Sequence, residues 1–282
     1  GDGFVSSNFS TGASGMTWDM ALAFGLGLLL GSFVNVLIHR LPRMVMADLA
    51  AACDAPRYNL CVPASQCPHC HTPLKPWHNI PVLSYMCLKG RCGFCQHPIS
   101  LQYPLIELTT ALLGSACTWH WGFNATGFCW AGFATVLLAL SVIDWQTTLL
   151  PDDLTQTLVW SGLVASAWGW LDLPVSQSVW GAVIGYASLW SVATAFERIT
   201  GKQGMGAGDF KLLAGLGAWL GPMALLPVVM LASICGACMG LFFKLTHRLS
   251  EDGYIPFGPF LAAAGMTVAV VGIEAIALGM GW

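Results

Sequence analysis

The chain has 282 residues, of which 56% are hydrophobic and 9% are charged, and its mean hydropathy is +0.67. Soluble domains carry about 25% charged residues, so this composition excludes an ordinary soluble domain and predicts a polytopic membrane protein. The eleven Lys and Arg residues and the net charge of −3 provide no basic face, which excludes a nucleic-acid-binding protein.

The first 16 residues are polar and rich in glycine and serine. They do not combine a basic segment, an adjoining apolar core and a cleavage site, so they do not fit a signal peptide. We interpret residues 1–16 as a flexible exported tail or an expression remnant, outside the fold.

Eight apolar segments are candidates for membrane spans, because a spanning helix needs about 20 apolar residues. They cover 17–38, 105–121, 124–143, 154–171, 178–197, 210–222, 223–243 and 257–281. Residues 221–223 join the short sixth segment to the seventh, which predicts a tight helical hairpin. The predicted fold is an all-α polytopic membrane protein of about eight transmembrane helices, with a small cytoplasmic domain at 39–104 and a membrane core at 105–282.

The basic residues orient these spans. Six Lys and Arg residues fall between the first and second spans, three between the fifth and sixth, and two between the seventh and eighth. All eleven therefore lie on one side, which the positive-inside rule makes cytoplasmic, with both termini outside.

Two acidic residues are predicted at this cytoplasmic face. Asp144 ends the third span, and Asp209 begins the sixth within GMGAGDFKLL. Ionisable residues at membrane depth cost about 2.5–3.5 kcal/mol and usually mark function. Two carboxyl groups in one partly desolvated site do not ionise together readily, so one stays protonated. This is the state of an aspartyl protease, in which the ionised acid takes a proton from water and the neutral acid polarises the scissile carbonyl.

Other interpretations exist for parts of this pattern. Asp209 alone is explained equally well as the N-cap of a helix. Gly204, Gly206 and Gly208 permit backbone conformations closed to other residues, and they remove side-chain bulk, which leaves room for an extended substrate peptide beside the acid. Asp152 and Asp153 follow a proline and indicate an ordinary helix start.

The polar segment between the first two spans contains two Cys-x-x-Cys pairs, Cys67 with Cys70 and Cys92 with Cys95. Two such pairs about 20 residues apart predict a four-cysteine structural zinc site, and metal would stabilise a segment with little core of its own. The alternatives are redox dithiols or a disulfide scaffold, which the predicted cytoplasmic location disfavours.

Taken in chain order, these features resemble the type IV prepilin peptidase family, which are membrane aspartyl proteases with a GxGD motif. The resemblance extends from about Gly31 to Phe260. Besides the acids and the cysteine pairs, it rests on GSFVNVLIHRLP, HNIPVLSY, KGRCGFC, YPLIELTTALL, LPDDLTQ, GMGAGDFKLL and PFGPFLAAAG.

The resemblance implies a reaction and a catalytic pair. Such an enzyme, in the bacterial inner membrane, removes the leader from type IV prepilins or type II secretion pseudopilins at the cytoplasmic face. It then methylates the new N-terminal residue with S-adenosylmethionine. Asp144 and Asp209 match the catalytic pair, and Lys211 either holds one carboxylate charged or marks the inner face. The full-length cysteine loop favours this bifunctional type over a peptidase alone.

Residues for methyl transfer are less well indicated, because the chain has no glycine-rich nucleotide fingerprint. The family's loop is associated with methylation, and Gly90 and Arg91 match positions before the second cysteine pair. Glu107 is expected to hold the substrate amine or the loop, or to form a buried ion pair with Arg40 or Arg43. Asn35 is expected to bond either a substrate backbone or another helix.

Two further function classes fit less well. A transporter or proton channel would use the acids as a relay, but it predicts inverted repeats and acids near the midplane. A membrane thiol–disulfide enzyme would need its cysteines on the oxidising side. The segment 44–66 has no predicted role, and neither the individual pilin substrates nor the oligomeric state is predicted.

Overall fold

The computed structural model describes residues 13–49, 59–62, 64–202, 204–246, 255–273 and 275. Within them the chain is helical and has no β-strand, only two isolated β-bridges, so the predicted all-α class is confirmed. The helices are α1 (Ala13–Leu49), α2 (Leu83–Cys87), α3 (Gln102–Trp121), α4 (Ala125–Thr147), α5 (Asp152–Ala167), α6 (Val175–Thr200), α7 (Ala207–Leu220), α8 (Leu225–Leu245) and α9 (Gly258–Val271).

Each of the eight predicted spans contains a helix. Among the described residues, four helical stretches are long and apolar enough to cross a membrane, namely Trp18–Ala47, Ala125–Thr147, Val175–Thr200 and Pro222–Leu245. Helices α5, α7 and α9 have only 14 to 16 residues. The count of eight membrane spans therefore stays a prediction.

The first helix differs most from its predicted bounds. It begins at Ala13 and continues through Pro42 to Leu49, beyond the predicted end at 38. A proline inside a helix removes one hydrogen bond and crowds the carbonyl four residues earlier, at a cost of about 3 kcal/mol. The following Met, Ala and Leu residues favour a helix, and α1 continues past the proline. The predicted tail lies outside the described residues except for 13–16, which belong to α1.

The described residues form two compact units, one from 1–35 and 64–132 and the other from 36–63 and 133–282. In the first unit, α1 packs closely against α3 through the GLLLG stretch. A Cβ atom on Gly27 would lie 2.5 Å from the Cα of Ala111, and one on Gly31 would lie 2.6 Å from the Cα of Glu107. Small residues four apart thus let the two backbones approach, as in other membrane helix pairs.

In the second unit, α7 is the central helix and packs against α5, α6 and α9. Every residue from 212 to 219 is buried. Gly185 of α6 approaches the α7 backbone so closely that a Cβ atom there would lie 2.6 Å from the carbonyl oxygen of Leu213. The Ser178 hydroxyl donates to the carbonyl of Ala218 at 2.6 Å. A helix covered by protein on all sides is expected to be apolar all round, which explains its composition.

Candidate active site

Asp209 lies in the first turn of α7, where Gly206 is the N-cap residue. The interpretation of Asp209 as the helix cap is therefore wrong, because Asp209 is the third residue of α7 and Gly206 is the cap. Its side chain is only 4% exposed. A buried carboxyl group at this position needs an explanation other than capping.

Asp144 lies near the end of α4 and is 3% exposed. Its Oδ2 accepts a hydrogen bond from the backbone N–H of Gly258, the first residue of α9, at 3.0 Å. A Cβ atom on Gly258 would lie 2.6 Å from the same oxygen, so only glycine permits this approach. The PFGPFLAAAG motif includes Gly258, but the sequence predicts no role for it.

The two acids belong to one buried site. Both carboxyl groups are buried in the second unit, although the two residues are far apart in the sequence. Leu150, which follows α4, contacts the backbone on both sides of the site. Cβ atoms on Gly208 and Gly258 would lie 2.6 Å and 3.4 Å from its side chain. The structure therefore brings together the pair of acids that the sequence predicts.

The glycines before Asp209 have a steric role. Gly206 has a φ of −74° and Gly208 lies in the first turn of α7, so neither uses the positive-φ conformations that glycine permits. A Cβ atom on Gly204 would lie 2.7 Å from the ring of Phe196, and Gly208 is crowded by the leucine described above. Gly204 and Gly206 are both exposed, and a Cβ atom on Gly206 would meet only Asp209 Oδ2, at 4.0 Å. The acid can thus be approached beside Gly206.

Lys211 is not paired with either buried acid in this arrangement. Its Nζ lies 2.6 Å from Oδ1 of Asp152, and both side chains are substantially exposed. Asp152 and Asp153 occupy the first turn of α5, as the sequence predicts. In this structure Lys211 therefore forms a surface ion pair with Asp152 and does not hold a catalytic carboxylate charged.

The four predicted metal ligands form one cluster in the first unit. The Sγ atoms of Cys67, Cys70, Cys92 and Cys95 all lie within 4.8 Å of one another, and the Cys67 and Cys95 sulfurs are 3.8 Å apart. A tetrahedral zinc site with Zn–S bonds of about 2.3 Å has S···S distances of about 3.8 Å. The cluster geometry fits a tetrahedral metal ion.

The hydrogen bonds around these thiols also suit thiolate ligands. Hydrogen bonds from the hydroxyl and the backbone N–H of Thr72 lower the pKa of Cys70 to about 6. The backbone N–H of Cys95, and after it that of Phe94, lowers the pKa of Cys92. The His97 N–H acts in the same direction on Cys95, but desolvation and the neighbouring thiols raise its pKa to about 11. A divalent cation relieves this repulsion between neighbouring thiolates.

Two polar residues of α1 bond to the protein's own backbone. Asn35 donates from Nδ2 to the carbonyl of Tyr103 at 3.0 Å, which matches the predicted bond to another helix. The buried Arg40 donates from Nη1 to the carbonyls of Asn59 and Leu60 at 2.9 and 3.2 Å. These bonds give both side chains a structural role.

Glu107 is buried in α3 and accepts the backbone N–H of Val82 at 2.7 Å. This contact matches the prediction that Glu107 holds the loop. Gly90 has a φ of 68°, and a Cβ atom on it would lie 2.8 Å from the hydroxyl oxygen of Tyr85. Glycine is required there for the turn before the second cysteine pair, where Arg91 is exposed. The sequence did not indicate Val82, because a backbone donor carries no residue signature.

A site for S-adenosylmethionine does not emerge from the described part of the chain. A groove of about 550 Å³ runs along α5, lined by Asp153, Gln156, Thr157, Trp160, Ser161 and Val164. All of these residues belong to one helix, and the groove is open. Because the groove does not enclose a nucleoside, it does not indicate a binding site for the methyl donor.

Two protein-family models match the chain. The bacterial peptidase A24 N-terminal domain matches residues 26–121, and the type IV leader peptidase family matches residues 131–241.

Curated relatives match over most of their length. The prepilin leader peptidase/N-methyltransferase of Burkholderia pseudomallei (strain K96243) is 44% identical over 265 residues, covering 90% of this chain and 85% of the relative. The protein of that name from Aeromonas hydrophila is 46% identical over 269 residues, covering 90% and 91%. The one from Pseudomonas aeruginosa is 45% identical over 250 residues, covering 85% and 86%. No solved structure matches the chain.

Proposed function

Because this chain belongs to the type IV leader peptidase family, we propose that it is a bifunctional membrane enzyme. It cleaves the leader peptide from type IV prepilins or type II secretion pseudopilins as an aspartyl endopeptidase. It then methylates the new N-terminal residue. The observation that carries the peptidase proposal is the pair of buried acids Asp144 and Asp209, which flank the side chain of Leu150 in the second unit.

Each acid has a defined role in peptide hydrolysis. We assign the base to Asp144, because the N–H of Gly258 donates to its Oδ2 and holds this carboxylate in one orientation. Asp144 takes a proton from water as the water oxygen attacks the scissile carbonyl carbon. Asp209, in its neutral form, donates a hydrogen bond to the carbonyl oxygen. As the C–N bond breaks, Asp144 gives the proton that it took from water to the departing amine nitrogen, which restores its carboxylate.

The substrate approaches from the cytoplasmic face. Gly206 is exposed and lies beside Asp209, so an extended peptide backbone can approach the acid there without meeting a side chain. The apolar helix of the substrate remains in lipid, while the basic leader lies in the cytoplasm. The distribution of Lys and Arg in the sequence supports this orientation of the chain.

We assign a structural zinc ion to Cys67, Cys70, Cys92 and Cys95. The cluster fits zinc because four sulfurs lie within 4.8 Å of one another and no described disulfide joins them. The metal would hold the two Cys-x-x-Cys turns together in a segment that buries few apolar side chains.

S-adenosylmethionine would supply the electrophilic methyl group for the free N-terminal amine of the cleaved pilin. Gly90 and Arg91 are the residues that the family pattern associates with this step. In this chain Gly90 shapes the turn on which Arg91 is displayed to solvent. Their contribution to methyl transfer is a proposal that rests on the family pattern.

The proposal is tested with purified enzyme in lipid and a prepilin substrate. Mass spectrometry of the product follows leader removal, and a gain of one methyl group requires added S-adenosylmethionine. Asp144→Asn and Asp209→Asn keep the side-chain shape and are expected to abolish leader removal. A folded variant that cleaves at the normal rate would show that its acid is structural and would refute the catalytic pair.

A further inference from the structure

The turn at Val82 is unusual for a valine. Its φ is 58° and its ψ is −47°, and the N–H of Leu83 donates to the carbonyl of Pro81 at 2.5 Å. This is a γ-turn, a strained conformation for a β-branched residue. Such a turn persists only when the surroundings hold it. Glu107 does so by accepting the N–H of Val82 at 2.7 Å.

Glu107 places this turn at the predicted membrane surface. The Cα atom of Glu107 packs directly on Gly31, which lies inside the apolar span Trp18–Ala47. Glu107 itself is two residues from the cytoplasmic end of the predicted span 105–121, or about 3 Å along the helix. The N–H of Val82 is therefore held close to the predicted cytoplasmic surface of the membrane.

The residues around this turn expose large apolar side chains. Trp77, Ile80, Leu83 and Met86 are 58%, 45%, 60% and 67% exposed, and α2 has no buried residue. We call these four side chains the apolar turn. Four large apolar groups exposed within ten residues are unusual for a segment in water.

The start of α3 exposes large apolar side chains as well. Leu101, Leu105 and Leu108, at the start of α3, are also exposed, and Glu107 lies among them in the sequence. Exposed lysines flank the turn at Lys75 and Lys89. The Lys75 ammonium lies 5.3 Å from the centre of the Trp77 ring. Tryptophan and lysine beside apolar side chains are typical of the membrane interface, where lysine meets anionic headgroups.

From these contacts we infer that the apolar turn is a membrane-interface anchor. Its partner is the lipid of the cytoplasmic leaflet, into which Ile80, Leu83 and Met86 insert while Lys75 and Lys89 remain at the headgroups. Glu107 is the positioning residue that sets the depth of the turn. The anchor keeps the cysteine cluster at the bilayer surface. This inference depends on the membrane placement of α1 and is independent of the peptidase reaction.

The direct test measures lipid contact in the intact chain. An environment-sensitive fluorescent amino acid replaces Met86 in one preparation and Gln96, an exposed polar position beside the second cysteine pair, in another. Each protein is placed in nanodiscs of equal zwitterionic and anionic phospholipid, with or without bromine on the acyl chains. We expect brominated lipid to quench the probe at position 86 and not the probe at 96. Equal emission with and without bromine at position 86 would overturn the inference. So would shielding of that probe only after addition of a prepilin, because the surface would then bind substrate.

A second test removes the apolar surface. Leu83→Asp combined with Met86→Asp deletes no internal packing, because both side chains are exposed. In nanodiscs we expect trypsin to cleave after Lys89 about tenfold faster in this variant, since the turn no longer partitions into lipid. Leu83→Phe is the matched control and is expected to resemble the unmodified chain. If the double variant retains its zinc and is cleaved at the unmodified rate, the anchor is refuted. The fluorescence test does not use this variant, so it tests lipid contact even if the double variant fails to fold.

Discussion

Replacing Gly258 by alanine tests the geometry of the acid pair most sharply. The new Cβ atom would lie 2.6 Å from Asp144 Oδ2, and real Cβ contacts essentially never fall below 3.0 Å. The carboxylate must therefore shift by several tenths of an ångström and weaken its bond to the residue 258 N–H. A hydrogen bond to a charged group contributes about 1.5–3 kcal/mol, so kcat/KM for leader removal is expected to fall about 10- to 100-fold.

The matched control is Gly132→Ala. Gly132 is also a helical glycine, but a Cβ atom on it would meet nothing within 4 Å. Initial rates of leader removal at several prepilin concentrations, in the same lipid, give kcat/KM for each variant. We expect the control to retain the unmodified rate. If Gly258→Ala retains it as well while remaining folded, the Gly258 N–H does not orient the base and our assignment of Asp144 fails.

Three further outcomes follow from the contacts described. Glu107→Gln keeps an acceptor for the N–H of Val82 and is expected to retain the protease resistance of the loop. Glu107→Leu is expected to lose this resistance, and equal resistance of the two variants would contradict the positioning role. Cys92→Ser is expected to abolish zinc binding, measured by metal analysis of the purified protein, and a full zinc content in this variant would exclude a four-cysteine site. Lys211→Met is expected to change kcat/KM by less than about tenfold, because exposed ion pairs contribute about 0–1 kcal/mol; a larger loss would return Lys211 to the catalytic site.

The fold class was predictable because a bilayer leaves few options. Backbone groups in lipid must bond within their own segment, so long apolar segments become helices. Helix ends were harder to predict. The end of α1 lies beyond Pro42, where ordinary helix propensity continues the helix after the apolar segment has ended. Short helices such as α7 are apolar because protein surrounds them, so composition alone does not distinguish them from spans.

The candidate site was predictable where side chains carry the chemistry. Asp144 and Asp209 are acids at the ends of apolar segments, and the charge distribution predicts that both ends lie on one face. Their environment was not predictable, because the partner of Asp144 is a backbone N–H. The same limit applies to the N–H of Val82. A glycine in the sequence indicates that a side chain is excluded at that position. It does not indicate whether the cause is a positive φ or the close approach of a neighbouring group.

The measurement that tests the central claim most directly is a double-mutant comparison of the two acids. Leader removal is measured for Asp144→Asn, Asp209→Asn and the variant with both changes, in the same lipid and with the same prepilin. Residues that act as one catalytic unit are strongly non-additive. We predict that all three variants fall to the same residual rate. Losses that multiply in the double variant, or substantial cleavage by either single variant, would show that the acids act separately and would contradict a shared active site.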